Sequence, residues 1–335
     1  MKAVVFQEAN RLTIEDRPMP EIGDFDALVK VHACGVCGTD VHILRGEHIV
    51  EFPVIPGHEL SGEVTAVGSK VTNVRAGDRV TVDPNIVDHT CFFCRRGEHH
   101  LCENLTAVGV NFDGGFAEFC RMPAVQAYKV PDGLSLDEAA MAEPLACCIH
   151  GIDRANIVPG SNVVVLGAGS IGLLLIQLAK IAGARRILVS EPHDRKRRLA
   201  AQFGADVPVP PQDIAREVQE LTGVGADVVI ESAGRLETAE LAVKLARRGG
   251  TVLQFGVTTP DASAQISPYD IYYKELTVRG SFVNPVTHSR AIELLASKQV
   301  DVMPLITHRF PLDDAAKAIE TAQGSEAIKV LLTPE

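Results

Sequence analysis

The chain has 335 residues, 46% of them hydrophobic and 22% charged, and a formal net charge of −11. That length suits about two domains, and the acidic balance argues against a generally basic nucleic-acid surface. No apolar run approaches the roughly 20 residues that cross a bilayer, and the opening Met1–Phe6 run is broken too soon by Gln7, Glu8 and Asn10 to read as a secretory signal.

Residues 1 to about 150 hold short β-like runs: the opening strand, then Ala27–His32, Leu60–Val67, Arg79–Val82 and Gln126–Lys129. Glycine and proline punctuate them, as in Val54-Ile55-Pro56-Gly57. The pattern predicts an antiparallel, barrel-like β domain with irregular loops. From about residue 155 the rhythm changes. A strand at Val163–Leu166 meets a glycine turn and a helix over Ile171–Ala182, followed by a strand at Arg186–Ser190 and a helix near Asp194–Phe203. Val207-Pro208-Val209-Pro210-Pro211 reads as a turn. Strands follow at Asp227–Glu231, Thr251–Phe255 and Leu276–Gly280, with a helix near Leu236–Arg248. This alternation predicts βαβ units, a parallel sheet covered on both faces and an α/β fold class. Beyond about residue 286, Ser289–Ser297 and Asp313–Thr321 read as helices, and Lys329–Leu332 as a last strand returning to the first domain.

Gly167-Ala168-Gly169-Ser170-Ile171-Gly172 fits G-x-G-x-x-G between a strand and an apolar helix. Gly167 permits the tight turn, Gly169 lets a pyrophosphate approach the backbone at the helix N-terminus, and Gly172 lets helix and strand pack closely. Glu191 ends the next strand, where an acid accepts hydrogen bonds from ribose hydroxyls and repels a 2′-phosphate, which favours NAD over NADP. His193, Arg195 and Lys196 weaken that preference, because each could meet a phosphate. Arg195-Lys196-Arg197-Arg198 and Arg247-Arg248 otherwise read as solvated faces.

Eight cysteines without a signal peptide point to a reducing, cytoplasmic setting, where clustered cysteines hold metal or do chemistry. Cys37, His58 and Glu143 lie in three separate runs, Cys34–Asp40, Pro56–Leu60 and Ala142–Leu145, and their thiolate, imidazole and carboxylate form a suitable zinc set. Each residue alone has a structural alternative: a buried small hydrophobe, a hydrogen-bonded histidine, a helix start. Cys34–Cys37 could be a redox C-x-x-C, but that motif belongs near a βαβ unit. Farther on, Asp88, Cys91, Cys94 and Cys102 follow a D-x2-C-x2-C-x7-C spacing, four ligands for a closed structural zinc site. His89, His99 or His100 is an alternative fourth ligand. Cys120, Cys147 and Cys148 read as core or supporting residues.

Together these motifs resemble the zinc-containing medium-chain dehydrogenases, especially the polyol and threonine dehydrogenase branch. The matching runs are CGVCGTD at 34–40, GHE at 57–59, the cysteine lobe at 88–102, DGGFAEF at 113–119, EPL at 143–145 and GAGSIG at 167–172. The resemblance implies a GroES-like catalytic domain over 1–150 and 286–335, with a Rossmann domain over 151–285. It places Cys37, His58 and Glu59 at a catalytic zinc. It makes Glu143 a zinc ligand or a base acting through water, Thr39 a hydroxyl proton relay and His42 an outward proton carrier. Asp88 departs from the family, which begins this lobe with cysteine. The resemblance also implies a dimer or tetramer, often joined through edge strands; here the edge candidate is Leu276–Val283.

The expected reaction passes a hydride between NAD(H) and a secondary hydroxyl. Few aromatic residues and carboxylates near zinc suit a polyol or sugar alcohol; threonine or a simpler diol is the alternative. A non-catalytic protein of the same fold would have lost zinc ligands or the glycine turn, and both are intact in the sequence.

Overall fold

The computed structural model describes residues 1–47 and 50–334. The chain forms two compact units, one of Met1–Ala146 with Pro285–Glu335 and the other of Cys147–Asn284.

The first unit is built on a seven-stranded sheet. Its order runs Ile306–Pro311, Lys329–Thr333, Asp26–Gly35, Glu59–Val67, Arg79–Val82 and Ala127–Lys129, with Phe119–Pro123 paired alongside Asp26–Gly35. All pairings are antiparallel except that of the two C-terminal strands. Along Asp26–Gly35 the side chains alternate from Val29 to Ala33, with Lys30 and His32 outward and Val29, Val31 and Ala33 inward. That period of two is what a half-buried strand requires. A separate hairpin pairs Lys2–Glu8 with Arg11–Asp16, and Phe6, Ile43, Leu60 and Phe116 share the apolar core.

The register of this sheet sets the site. Gly35 lies opposite Glu59 on one side and opposite Leu331 on the other. A β-carbon on Gly35 would sit 2.0 Å from Oε2 of Glu59, so the glycine leaves the room that this carboxylate fills. The C-terminal strand does return to the first unit, as read from sequence.

The second unit holds six parallel strands in the order Val207–Val209, Arg186–Ser190, Asn162–Leu166, Ala226–Glu231, Ala246–Gln254 and Thr277–Gly280. Numbered within the unit this is 3-2-1-4-5-6, the doubly wound order that binds dinucleotides at the carboxyl ends of its strands. Val164, Leu166, Leu188, Val229 and Val252 lie in its core.

Two readings need correction. Val207-Pro208-Val209 is a strand, not part of a turn, and pairs with Leu188–Ser190. It is the edge strand, where a proline without an N–H costs the ladder nothing on its open side. The helix beginning at Leu236 stops at Leu245, because Ala246 already pairs with Ala226. The strands Arg11–Asp16 and Phe119–Pro123 and the helix Ile214–Thr222 were not legible as such.

Candidate metal centres and dinucleotide site

Cys37 caps the helix Gly38–Leu44, and its backbone N–H donates to Oδ2 of Asp40 at 2.8 Å. The cap brings Cys37 to the strand Glu59–Val67 and to His58, which precedes that strand. One donor atom from each of Cys37, His58 and Glu59 lies within 4.8 Å of the others. His58 and Glu59 are buried, with exposures of 7% and 1%. Thiolate, imidazole and carboxylate at that spacing are a donor set that fits zinc.

The surroundings are anionic. Nδ1 of His58 lies 3.6 Å from Oδ1 of Asp40, and neither atom has a hydrogen-bond partner among the described residues. Burial pulls the His58 imidazolium down, but Cys37 and Asp40 outweigh it and hold it well above its ordinary range. Lys329 behaves in the same way. Its ammonium is 4% exposed and lies 2.5 Å from Oε2 of Glu59 and 3.3 Å from the carbonyl of Val36. Burial disfavours its charge, yet Glu59, Cys37 and Glu143 raise its pKa above the usual lysine value. A pocket that draws protons onto a buried histidine and a buried lysine is one that favours a cation.

Glu143 is buried in the first turn of the helix Ala142–Ala155. It is not part of the Cys37–His58–Glu59 group, but its carboxylate acts on the Lys329 ammonium. The Thr39 hydroxyl lies 3.7 Å from Sγ of Cys37. His42, farther along the same helix, is half-exposed and pairs with Glu47, Nδ1 to Oε2 at 2.6 Å. Sequence reasoning assigned no role to Asp40 or Lys329. The signal for Asp40 is its place three residues after the helix cap. The signal for Lys329 is a lone charge beginning the apolar run Val330-Leu331-Leu332.

Cys34 is not a partner of Cys37: both thiols are free. Cys34 is fully buried, and burial pushes its thiol well up, which suits a core residue rather than a redox one. Cys120 is pushed up to about 12 by burial. Sγ of Cys147 lies 3.9 Å from Oδ1 of Asn284, and Cys148 is buried.

Asp88, Cys91, Cys94 and Cys102 also come together, one donor atom from each within 4.8 Å of the others. His89, His99 and His100 are outside this group. Backbone N–H groups point at the sulfurs: Cys94 donates to Cys91 at 3.4 Å, and Asp88 and Asn104 both donate to Cys102 at 3.4 Å. Such donors stabilise thiolates, and this donor set fits a closed zinc site.

In the second unit, Gly167 has φ +102°, which a residue with a side chain rarely adopts. A β-carbon on Gly172 would lie 2.1 Å from the carbonyl oxygen of Gly167, whereas one on Gly169 would meet nothing within 4 Å. Gly169 caps the helix Ser170–Ile181 and brings no side chain to compete for its first N–H groups. Ser170 and Ile171 are half-buried in its first turn. The cradle therefore fits a pyrophosphate. Glu191 is 5% exposed. Its Oε2 accepts from the Ala168 N–H and its Oε1 from the His193 N–H, both at 2.9 Å. This acid ties the glycine turn to the end of the next strand. Arg195 is exposed, while Arg197 donates to the carbonyls of Glu191 and Pro192.

Comparison with known proteins agrees with this geometry. Residues 23–132 match the alcohol dehydrogenase GroES-like domain, and residues 170–297 match the zinc-binding dehydrogenase family. The chain is 34% identical to D-arabinitol dehydrogenase 1 of Uromyces fabae, over 100% of this chain and 97% of that protein. It is 35% identical to sorbitol dehydrogenase of Gallus gallus, over 98% and 95%. A crystal structure assigned as a zinc-binding dehydrogenase of Sinorhizobium meliloti 1021, bound to NADP, superposes with a TM-score of 0.96 at 42% identity, covering 99% of each chain. With a doubly wound sheet, a glycine cradle and a Cys–His–Glu cluster in place, the chain belongs to the zinc-containing medium-chain dehydrogenases and is an oxidoreductase acting on CH–OH groups.

Proposed function

We propose that the protein interconverts a secondary hydroxyl and a ketone of a polyol or sugar alcohol, with NAD(H) as the hydride carrier. The observation that carries this reading is the Cys37–His58–Glu59 cluster, whose donor atoms lie within 4.8 Å of one another. The names of the full-length relatives, arabinitol and sorbitol dehydrogenases, support the substrate class.

Cys37, His58 and Glu59 hold a catalytic zinc, and a zinc ion bound there would lower the pKa of the substrate hydroxyl. Nδ1 of His58 faces Asp40, which leaves Nε2 for the metal. Lys329 holds the Glu59 carboxylate in place through their buried ion pair. The Thr39 hydroxyl relays the substrate proton, accepting it as it donates its own onward, and a nicotinamide ribose bound there would link it to His42, which passes the proton outward. Glu143 supplies a second carboxylate at the site, as a ligand or as a base through water. A nicotinamide held by the glycine cradle would supply the hydride acceptor. Gly167, Gly169, Ser170, Ile171 and Gly172 form the pyrophosphate cradle. Glu191 faces the adenosine ribose and favours NAD over NADP, with Arg195 beside it. Asp88, Cys91, Cys94 and Cys102 hold a second, structural zinc.

The protein acts as a homo-oligomer, a dimer or tetramer, through the edge strand Thr277–Gly280. Val278 on that strand is 45% exposed, while the opposite edge carries Pro208. Eight free thiols support a reducing, cytoplasmic compartment. Among the described residues no helix is long and apolar enough to cross a membrane.

The test is turnover of a panel of polyols, diols and threonine by zinc-replete protein, with NAD and NADP in parallel. Polyol-dependent NADH formation is the expected result. Preference for threonine or a simple diol would move the substrate within the family. A protein that binds neither nucleotide would overturn the reading.

A further inference from the structure

The carboxylate of Asp88 is held from two sides. Its Oδ1 accepts two backbone N–H bonds, from Thr90 at 2.7 Å and Cys91 at 2.9 Å. Its Oδ2 accepts from Nδ2 of Asn104 at 2.6 Å. A carboxylate oxygen offers about two lone-pair sites. The two backbone donors fill Oδ1, whereas Asn104 takes only one of the two sites on Oδ2, and the Cys94 thiol, itself one of the clustered sulfurs, also interacts with the carboxylate. The donor atoms of Cys91, Cys94 and Cys102 lie within 4.8 Å of that carboxylate.

The Oδ1 bonds are those of an ordinary turn, in which a short acid caps the N–H groups two and three residues ahead. Such a turn needs nothing on Oδ2. The bond from Asn104 comes from 16 residues away, from the segment that also points its own N–H at Cys102. It fixes the rotation of the carboxylate, a freedom that a cysteine sulfur at the same position would not have. A neutral amide also suits the place: three thiolates and a carboxylate carry more negative charge than one zinc neutralises, and another anion there would add to it.

Resting on the reading of this lobe as a zinc site, we propose that Asp88 closes a three-thiolate, one-carboxylate site through a single oxygen, Oδ2, and that Asn104 is the positioning residue that aims that oxygen. Supporting partners of this kind typically change metal affinity by about 10–100-fold when removed.

The experiment measures zinc retention against a competing chelator in full-length protein. A Cys37→Ser background removes the catalytic site, so the zinc that remains is the lobe's. Asp88→Asn keeps an oxygen for the turn but replaces Oδ2 with an amide, and is expected to lose the lobe zinc. Asn104→Ala is expected to keep the fold and weaken the lobe's affinity about 10–100-fold. Asp88→Cys, which needs no aiming, is expected to hold zinc whether residue 104 is Asn or Ala. Cobalt substitution gives a second readout, with thiolate charge-transfer absorption that rises in Asp88→Cys in proportion to the added sulfur. Zinc affinity in Asp88→Asn or Asn104→Ala equal to that of the background protein would overturn the proposal and leave the two-zinc reading intact. A background protein with no lobe zinc at all would overturn both.

Discussion

Lys329 and Glu59 form a buried ion pair, with Nζ 2.5 Å from Oε2 and the two side chains 4% and 2% exposed. The pair joins the last strand of the chain to the strand that follows His58, one of them on each side of Asp26–Gly35 in the sheet. Removing the lysine leaves a buried carboxylate without its counter-charge, a change that costs about 3–5 kcal/mol in comparable pairs. Lys329→Met is therefore expected to lower the stability of zinc-free protein by about that amount, as read by denaturant unfolding. Added zinc should restore part of the loss, because the metal supplies the missing positive charge. Lys329→Arg keeps the charge and should recover most of it. Equal stability in all three proteins would show that the pair does not hold Glu59.

Asp40 serves two groups, accepting from the Cys37 N–H through Oδ2 and facing His58 through Oδ1. Asp40→Asn preserves an acceptor for the helix cap but removes the charge that orients the imidazole. We expect zinc affinity at the catalytic site to fall by about 10–100-fold, with the cysteine lobe unaffected. Chelator competition on both metal populations measures this, and an equal loss at the two sites would point to general unfolding instead.

The glycine turn gives a contrasting pair of variants. Gly172→Ala places a methyl against the Gly167 carbonyl and should destabilise the second unit by about 1–3 kcal/mol. Gly169→Ala meets open space and should leave thermal stability unchanged. It should weaken dinucleotide binding about tenfold or more, equivalent to ~1.4 kcal/mol. Calorimetric titration with NAD and with NADP, alongside a melting curve, separates the two effects. The same titration tests the inference drawn from Glu191.

These readings differ in how far they could be seen in the sequence. The strands of the parallel sheet were legible because each is a short apolar run bounded by turn signals; Arg186–Ser190 has the bounds expected. The edge strand at Val207 was not, because Pro208, Pro210 and Pro211 hide a pairing that only an edge can accept. The cysteine, histidine and glycine motifs declare themselves by spacing. Asp40 and Lys329 do not, since their meaning lies in what the fold places beside them. Lys329 is 270 residues from Glu59 along the chain, and no local pattern connects the two.

His288 offers a pH signature away from the metal. It is buried against Tyr128, with ring centroids 4.8 Å apart, and its Nε2 lies 3.4 Å from the Thr81 hydroxyl. Nδ1 has no partner among the described residues. Burial lowers its pKa from 6.5 to about 3. The unfolded chain therefore binds a proton that the folded chain refuses, so stability falls as pH drops from about 6.5 towards about 3, by up to ~1.4 kcal/mol per pH unit. His288→Phe removes that slope and should shift the acid-unfolding midpoint to lower pH. An unchanged midpoint would mean that the imidazole is already protonated in the folded state.

Hydride transfer is expected to depend on a cation held by Cys37, His58 and Glu59. The most direct measurement is polyol-dependent NADH formation before and after catalytic zinc is stripped and then restored, with Cys37→Ser run in parallel. Activity should vanish with the metal, return with added zinc in the unaltered protein, and stay absent in Cys37→Ser. Full turnover by the stripped protein, or by Cys37→Ser, would show that the reaction needs no cation at these residues.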